Sequence, residues 1–225
     1  MTRVRFIGDT HGDTDLLEQT LLDFDAGNIE AIYHVGDIGM GFNDKSLDPI
    51  FSYIRHEKIP FIAVRGNHDD PSHWVFDHEK EENTTDYKMY AGIKSGFYLD
   101  HVMNFVINGA LSIDQHSRIE GVDWWPNEEH TIEELNKLID SFENNKPRFV
   151  VSHDGPQSIL ENHFFPKVKG KMMYESRTRQ ALEAMLELHK PELWVFGHWH
   201  EYRDMGIDGT RFICVAKDTF IDLEI

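Results

Sequence analysis

The chain has 225 residues, 40% hydrophobic and 12% aromatic, enough to bury one sizeable core, and the expectation is a single domain over residues 1–225. Against 40 Asp and Glu stand 22 Lys and Arg, a formal charge of -18 that repels polyanions and argues against non-specific duplex nucleic-acid binding. A phosphate-bearing ligand would then need local positive charge, and bound metal cations are the obvious source in so acidic a chain.

Val4 to Ile7 is an apolar run of strand length that leads into Gly8-Asp9-Thr10-His11. Leu17, Leu21 and Phe24 then give a helix one apolar face, with Asp15 and Glu18 at capping-box spacing. Ala31 to Val35 is a second strand ending in Gly36-Asp37, and Pro60 to Val64 a third ending in Arg65-Gly66-Asn67-His68-Asp69. The polar stretch from Asp70 to Tyr90 reads as a surface loop, and Phe97 to Ile113 as short alternating strands. Thr131 and Glu134 open a helix with Leu135, Leu138, Ile139 and Phe142 on one face. Arg148 to Val151 is a fourth strand, leading to Ser152-His153-Asp154, and Glu161 to Lys171 reads as a second surface loop carrying Lys167, Lys169 and Lys171. Leu182, Met185, Leu186 and His189 mark a further helix, which Pro191 stops. Leu193 to Phe196 is the fifth strand, ending in Gly197-His198-Trp199-His200, after which short strands return from Tyr202 to Leu223. The order predicts an α/β fold in which two mixed β-sheets pack as a sandwich flanked by helices.

The lone Cys214, in Phe212-Ile213-Cys214-Val215, is expected to be a buried thiol, which fits a reducing compartment. No segment approaches the ~18 apolar residues of a membrane span, so the expectation is a cytoplasmic protein without a membrane partner.

Each of the five strands runs directly into residues that bind metals or move protons. In open α/β sheets the carboxyl ends of the strands form the ligand crevice, so Asp9, His11, Asp37, Asn67, His153, His198 and His200 can converge there. Carboxylate, imidazole and amide oxygen together favour borderline or hard divalent cations. Seven such side chains are too many for one ion, but a shared carboxylate makes two sites of four. Two-metal centres hold their ions ~3.5 to 4 Å apart, and Asp37 is the natural bridge.

The ordered set D-x-H, GD, GNHD, H, GHWH resembles the calcineurin-like metallophosphoesterase superfamily over positions 9 to 200. The resemblance implies that Asp9, His11, Asp37 and His200 hold one ion and Asp37, Asn67, His153 and His198 the other. The implied cofactor is a pair of divalent ions, manganese first, with iron, zinc, nickel and magnesium as the other candidates. It implies as well that His68 protonates the leaving oxygen, that Asp69 orients His68, and that a water acidified between the ions attacks phosphorus in line.

Arg65 before the Gly66-Asn67-His68-Asp69 block resembles the protein-phosphatase and diadenosine-tetraphosphatase branch, where that arginine contacts phosphate. The chain departs from the branch at Gly36-Asp37-Ile38-Gly39-Met40-Gly41, which lacks the branch's Asp-Arg-Gly. The segment Gly109 to Asp114, with Arg118, Trp124-Trp125-Pro126 and Glu128, resembles a bacterial and phage group of this superfamily whose substrates are mostly unassigned. Trp124 is a candidate for stacking on a base, His73 for reaching the substrate, and at least one of Trp124 and Trp125 is expected to pack in the core. Asp13, Asp15 and Asp154 read as turn or cap residues, and His34 as a surface or packing residue. The expected partner is a small phosphoester, nucleotide-like; the sequence assigns no oligomeric state. A protein phosphatase and a metal-stabilised binding module without turnover stay open as alternatives.

Overall fold

The computed structural model describes residues 3–22, 29–44, 46–57, 59–74, 94–97, 105–166 and 176–225. Its strands are β1 (Arg3–Ile7), β2 (Ala31–His34), β3 (Phe61–Ala63), β4 (Gly96–Phe97), β5 (Phe105–Ile107), β6 (Phe149–Ser152), β7 (Leu193–Phe196), β8 (Arg203–Ile207), β9 (Thr210–Cys214) and β10 (Phe220–Glu224). The helices are α1 (Thr14–Leu22), α2 (Asp48–His56), α3 (Ile132–Asn145), α4 (Gln157–Ile159) and α5 (Arg177–Leu188).

Two mixed sheets form, in the orders β10-β1-β2-β3 and β4-β5-β6-β7-β9-β8. In the first, β1, β2 and β3 run parallel and β10 closes the edge antiparallel to β1. In the second, β5, β6, β7 and β9 run parallel, with β4 and β8 antiparallel at the two edges.

The two-residue period of a strand sorts the side chains into layers. Val4, Phe6, Ala31 and Tyr33 from the first sheet meet Val151, Leu193, Val195 and Ile213 from the second, forming the core between the sheets. On the outer face of the first sheet, Ile7, Ile32 and Phe61 pack against Leu17 and Leu21 of α1 and Ile50 and Ile54 of α2. Across the second sheet, Val150, Trp194, Phe196 and Phe212 pack against Leu138 and Phe142 of α3 and Leu182 and Met185 of α5. The result is the expected α/β sandwich flanked by helices.

Local signals account for the helix ends. Thr131 and Glu134 form the expected reciprocal capping box at α3, and Ser176 caps α5 by accepting from the Arg179 amide. At α1 the cap is Asp13, whose Oδ1 accepts from Leu16 N at 3.1 Å, so Asp15 lies in the first turn and the expected Asp15 and Glu18 box is replaced. Phe24 lies outside the described residues. A second correction concerns Glu161 to Lys171: α4 continues as a π-helical turn over Leu160–Phe164, because Leu160 and Phe164 are apolar and buried against the core. Lys167, Lys169 and Lys171 lie outside the described residues, as do residues 75–90 of the predicted first loop.

Candidate metal centre

All five expected strands are present, and the parallel strands of both sheets deliver their carboxyl ends to one edge of the sandwich. There the donor atoms of Asp9, His11 and His200 lie within 4.8 Å of one another, as do those of Asp37, His153 and His198. A third overlapping group is His11, Asp37 and His68.

The distances fit ligands aimed at common points. Two donors each ~2.1 Å from one cation lie ~3.0–3.4 Å apart at ordinary coordination angles. His11 Nε2 is 3.2 Å from His200 Nε2, and His200 Nε2 is 3.2 Å from Asp9 Oδ2. On the other side, His153 Nε2 is 3.0 Å from Asn67 Oδ1 and 3.4 Å from Asp37 Oδ2. Asp37 stands between the groups: its Oδ2 is also 4.0 Å from His11 Nε2, while its Oδ1 accepts from the His68 amide at 2.7 Å.

Surrounding contacts aim these side chains. His153 Nδ1 faces the Val35 carbonyl at 2.9 Å, so Nδ1 carries a proton and Nε2 is the nitrogen turned toward the site. Asp9 accepts the His198 amide on both oxygens at 3.1 Å. The backbone is bent to the same end: His11, Asp37, His198 and His200 have φ of 47°, 54°, 67° and 59°. They are half of the eight non-glycine residues with positive φ among the described residues, and such strain gathers at sites that need it. At Gly36 (φ 112°) a Cβ would lie 2.1 Å from His153 Nδ1, so only glycine lets that imidazole approach.

Electrostatics favour positive charge at this point. Burial alone would lower the His153 pKa, but the Asp37 charge and hydrogen bond, with Asp9 behind, push it up to about 10. Burial would raise Asp37, yet His153 and His68 hold it well below the usual carboxylate range. Burial lowers His198 to about 4 despite Asp154 nearby, which keeps it neutral and able to ligate. The donor set of carboxylate, imidazole and amide oxygen therefore fits divalent cations.

The proposed acid is placed differently from the sequence expectation in one respect. His68 Nδ1 lies 3.3 Å from the Asp123 carbonyl oxygen. The Asp69 carboxylate instead accepts the amides of Gly39 and Gly66 at 2.7 Å and of Met40 at 3.0 Å, pinning the loops after β2 and β3 together. Burial and the charge of Asp37 raise its pKa to about 6 against those bonds.

Arg65 is buried at 6% exposure, its pKa lowered by burial, with Asp69 and Glu128 opposing. His73 is exposed beside Asp70 in a short 3-10 turn next to Gly41. Trp124 is half-buried, whereas Trp125 is buried.

Four groups near the candidate donors were not singled out in sequence as acting on the site. Asp154, read as a turn residue, is fully buried in an ion pair with Arg179 at 2.7 Å and accepts from Trp199 Nε1 at 2.8 Å. Ser112 accepts from Asn67 Nδ2 at 2.9 Å and donates to Glu128 at 2.6 Å. Phe42 packs its ring 5.9 Å from that of His11 and 5.1 Å from that of His68. His34 is a packing histidine, as expected: fully buried, lowered to about 3 by burial, and 3.0 Å from Thr10 Oγ1.

Three solved structures align with the chain, and the first of them shows the same architecture. A dimetal phosphatase from Danio rerio aligns at TM-score 0.55 and 14% identity over 96% of this chain and 88% of that one. A phosphopantetheinyl hydrolase from Mycobacterium tuberculosis aligns at 0.49 and 13% over 96% and 90%, and an archaeal phosphodiesterase at 0.43 and 14% over 96% and 84%. No curated protein matches. The family model described as calcineurin-like phosphoesterase matches residues 2–202. That match runs across all five strand-end blocks, and on it the chain belongs to the calcineurin-like phosphoesterase family.

Proposed function

We propose that this metal-dependent phosphoric ester hydrolase cleaves a small, nucleotide-like phosphodiester or phosphomonoester at a two-ion centre. Asp9, His11, Asp37 and His200 hold one ion; Asp37, Asn67, His153 and His198 hold the other; manganese is the first candidate. The observation that carries this reading is Asp37, whose Oδ2 faces His153 Nε2 at 3.4 Å and His11 Nε2 at 4.0 Å while Oδ1 is tied to a backbone amide. Two bound cations would supply a water acidified toward ~7 and neutralise charge on the phosphoryl oxygens during in-line attack.

The chain's own groups do the rest. Asp9 and Asp37 stay anionic, and His153, which would release its Nε2 proton to a bound cation, is held in orientation by Nδ1–H donating to the Val35 carbonyl. With its Nδ1–H held by Asp123 O, His68 would give a second proton, carried on Nε2, to the leaving oxygen and be left as the neutral Nδ1–H imidazole. Asp69 supports His68 through the loop backbone. Arg65 contributes positive charge from within the wall, and His73 and Trp124 are the proposed contacts for the rest of the substrate. For location we propose the cytoplasm, in keeping with a buried, unpaired Cys214.

The test is release of p-nitrophenol from its phosphate bis-ester and mono-ester by manganese-loaded protein, followed by nucleotides, cyclic nucleotides and phosphopeptides. Turnover of a nucleotide above phosphopeptides is expected. Preference for phosphopeptides would support a protein phosphatase, and inertness with both ions bound would support an idle binding module.

A further inference from the structure

We propose that Ser112 and Glu128 are positioning residues that dictate which end of the Asn67 amide faces the metal centre. The inference rests on the reading of Asn67 as a ligand. An amide group is nearly symmetric in shape, yet only its oxygen can bind a cation, so a flip of the side chain would present N–H groups to the ion. Something must decide between the two orientations.

The hydrogen bonds supply the decision. Glu128 receives Ser112 N on Oε1 at 2.8 Å and Ser112 Oγ on Oε2 at 2.6 Å. A serine hydroxyl has one hydrogen, and here the carboxylate takes it. Only lone pairs remain for Asn67, whose Nδ2 donates to Ser112 Oγ at 2.9 Å. The amide oxygen is thereby turned to the opposite side, where Oδ1 lies 3.0 Å from His153 Nε2. Asn67, Ser112 and Glu128 are 2%, 1% and 3% exposed, so solvent offers no competing partner.

The carboxylate is the polarity element, because it accepts from both groups of Ser112 at once. In Glu128→Gln one of those acceptors becomes a donor. Either an N–H then faces the Ser112 amide, or the new amide donates to Ser112 Oγ and forces that hydroxyl to donate to Asn67. The second arrangement reverses the relay and turns the Asn67 N–H groups toward the ion.

Manganese titration of metal-free protein by calorimetry above pH 7, where the Glu128 carboxyl is ionised, with bound ions counted by elemental analysis, tests the clamp. Ser112→Ala and the near-isosteric Glu128→Gln should each weaken one of the two ions by about 10–100-fold and leave the other unchanged. The double variant should be no weaker than Ser112→Ala, since both changes act on one chain of bonds. Ser112→Thr, which keeps the hydroxyl, should restore the affinity. Wild-type affinity for both ions in folded Ser112→Ala or Glu128→Gln, with Asn67→Ala losing one, overturns the clamp alone. An Asn67→Ala protein that keeps both ions overturns the ligand assignment and the clamp with it.

Discussion

His68 Nδ1 points at the carbonyl oxygen of Asp123, 3.3 Å away, although Asp69 is its neighbour in the chain. A carbonyl can only accept, so Nδ1 carries a proton and Nε2 is left for the substrate. Asp69 meanwhile satisfies three backbone amides. The two residues should therefore fail differently.

His68→Ala should keep both ions and lose turnover by about 10²–10⁴-fold on poor leaving groups, with little loss on p-nitrophenolate. Asp69→Ala strands the buried amides of Gly39 and Gly66 at about 1–3 kcal/mol each and the part-buried amide of Met40, so it should lose stability and metal, with no dependence on the leaving group. Rates plotted against leaving-group acidity separate the two. Parallel lines for the variants would contradict the division.

Glu128 gives a prediction in pH. Burial raises its carboxyl to about 7, against the hydrogen bonds from Ser112. The folded state thus binds this proton more tightly than the unfolded state, where the group has its ordinary value of 4.5. The contribution is fully present below about pH 4.5 and is lost as pH rises through about 7, amounting to roughly 3 kcal/mol at most. Urea unfolding of wild type and Glu128→Gln across that window should show the wild type losing stability relative to the variant. Parallel curves would mean that Glu128 is already ionised at the lower end.

The strands and the donor side chains that meet at their ends were legible in sequence because each is a local signal. A run such as Val4 to Ile7 announces a strand, and Gly36-Asp37 announces a tight exit with a donor. The supports were not legible. Glu128 reaches Asn67 only through Ser112, and Arg179 reaches Asp154 across 25 residues. These are ordinary residue types whose partners are set by tertiary contact, and a backbone carbonyl such as that of Asp123 has no sequence signature at all. The left-handed backbone at His11, Asp37, His198 and His200 was not legible either: Asp and His are enriched there, but most Asp and His residues have negative φ, so the residue type alone does not announce it.

Gly36→Ala combines two penalties. Its φ of 112° is one that side-chain-bearing residues rarely adopt, and its Cβ would meet His153 Nδ1 at 2.1 Å. Strain of about 1–3 kcal/mol and overpacking of about 1–3 kcal/mol should add, with weakened binding of the His153 ion. Gly209→Ala is the control: φ is 90° but nothing lies within 4 Å, so it should show backbone strain alone and keep both ions. Equal losses at the two positions in thermal unfolding and metal titration would refute a steric role for Gly36.

The Asp154 and Arg179 pair separates stability from site geometry. Both side chains are fully buried, 2.7 Å apart, and Asp154 Oδ2 lies 4.0 Å from His198 Nε2. Burial alone would raise Asp154, but Arg179 and His198 hold it below its ordinary value. Arg179→Ala leaves that carboxylate without its ion pair and should cost about 3–5 kcal/mol. Replacing both partners with apolar side chains, Asp154→Leu with Arg179→Met, removes the stranded charge and should recover much of that stability. It should not recover the ion held by His198, because the carboxylate beside the imidazole and the anchor for Trp199 Nε1 are gone. Urea unfolding and manganese titration of the single and double variants read the two effects apart, and a double variant with full metal affinity would show that the pair serves stability alone.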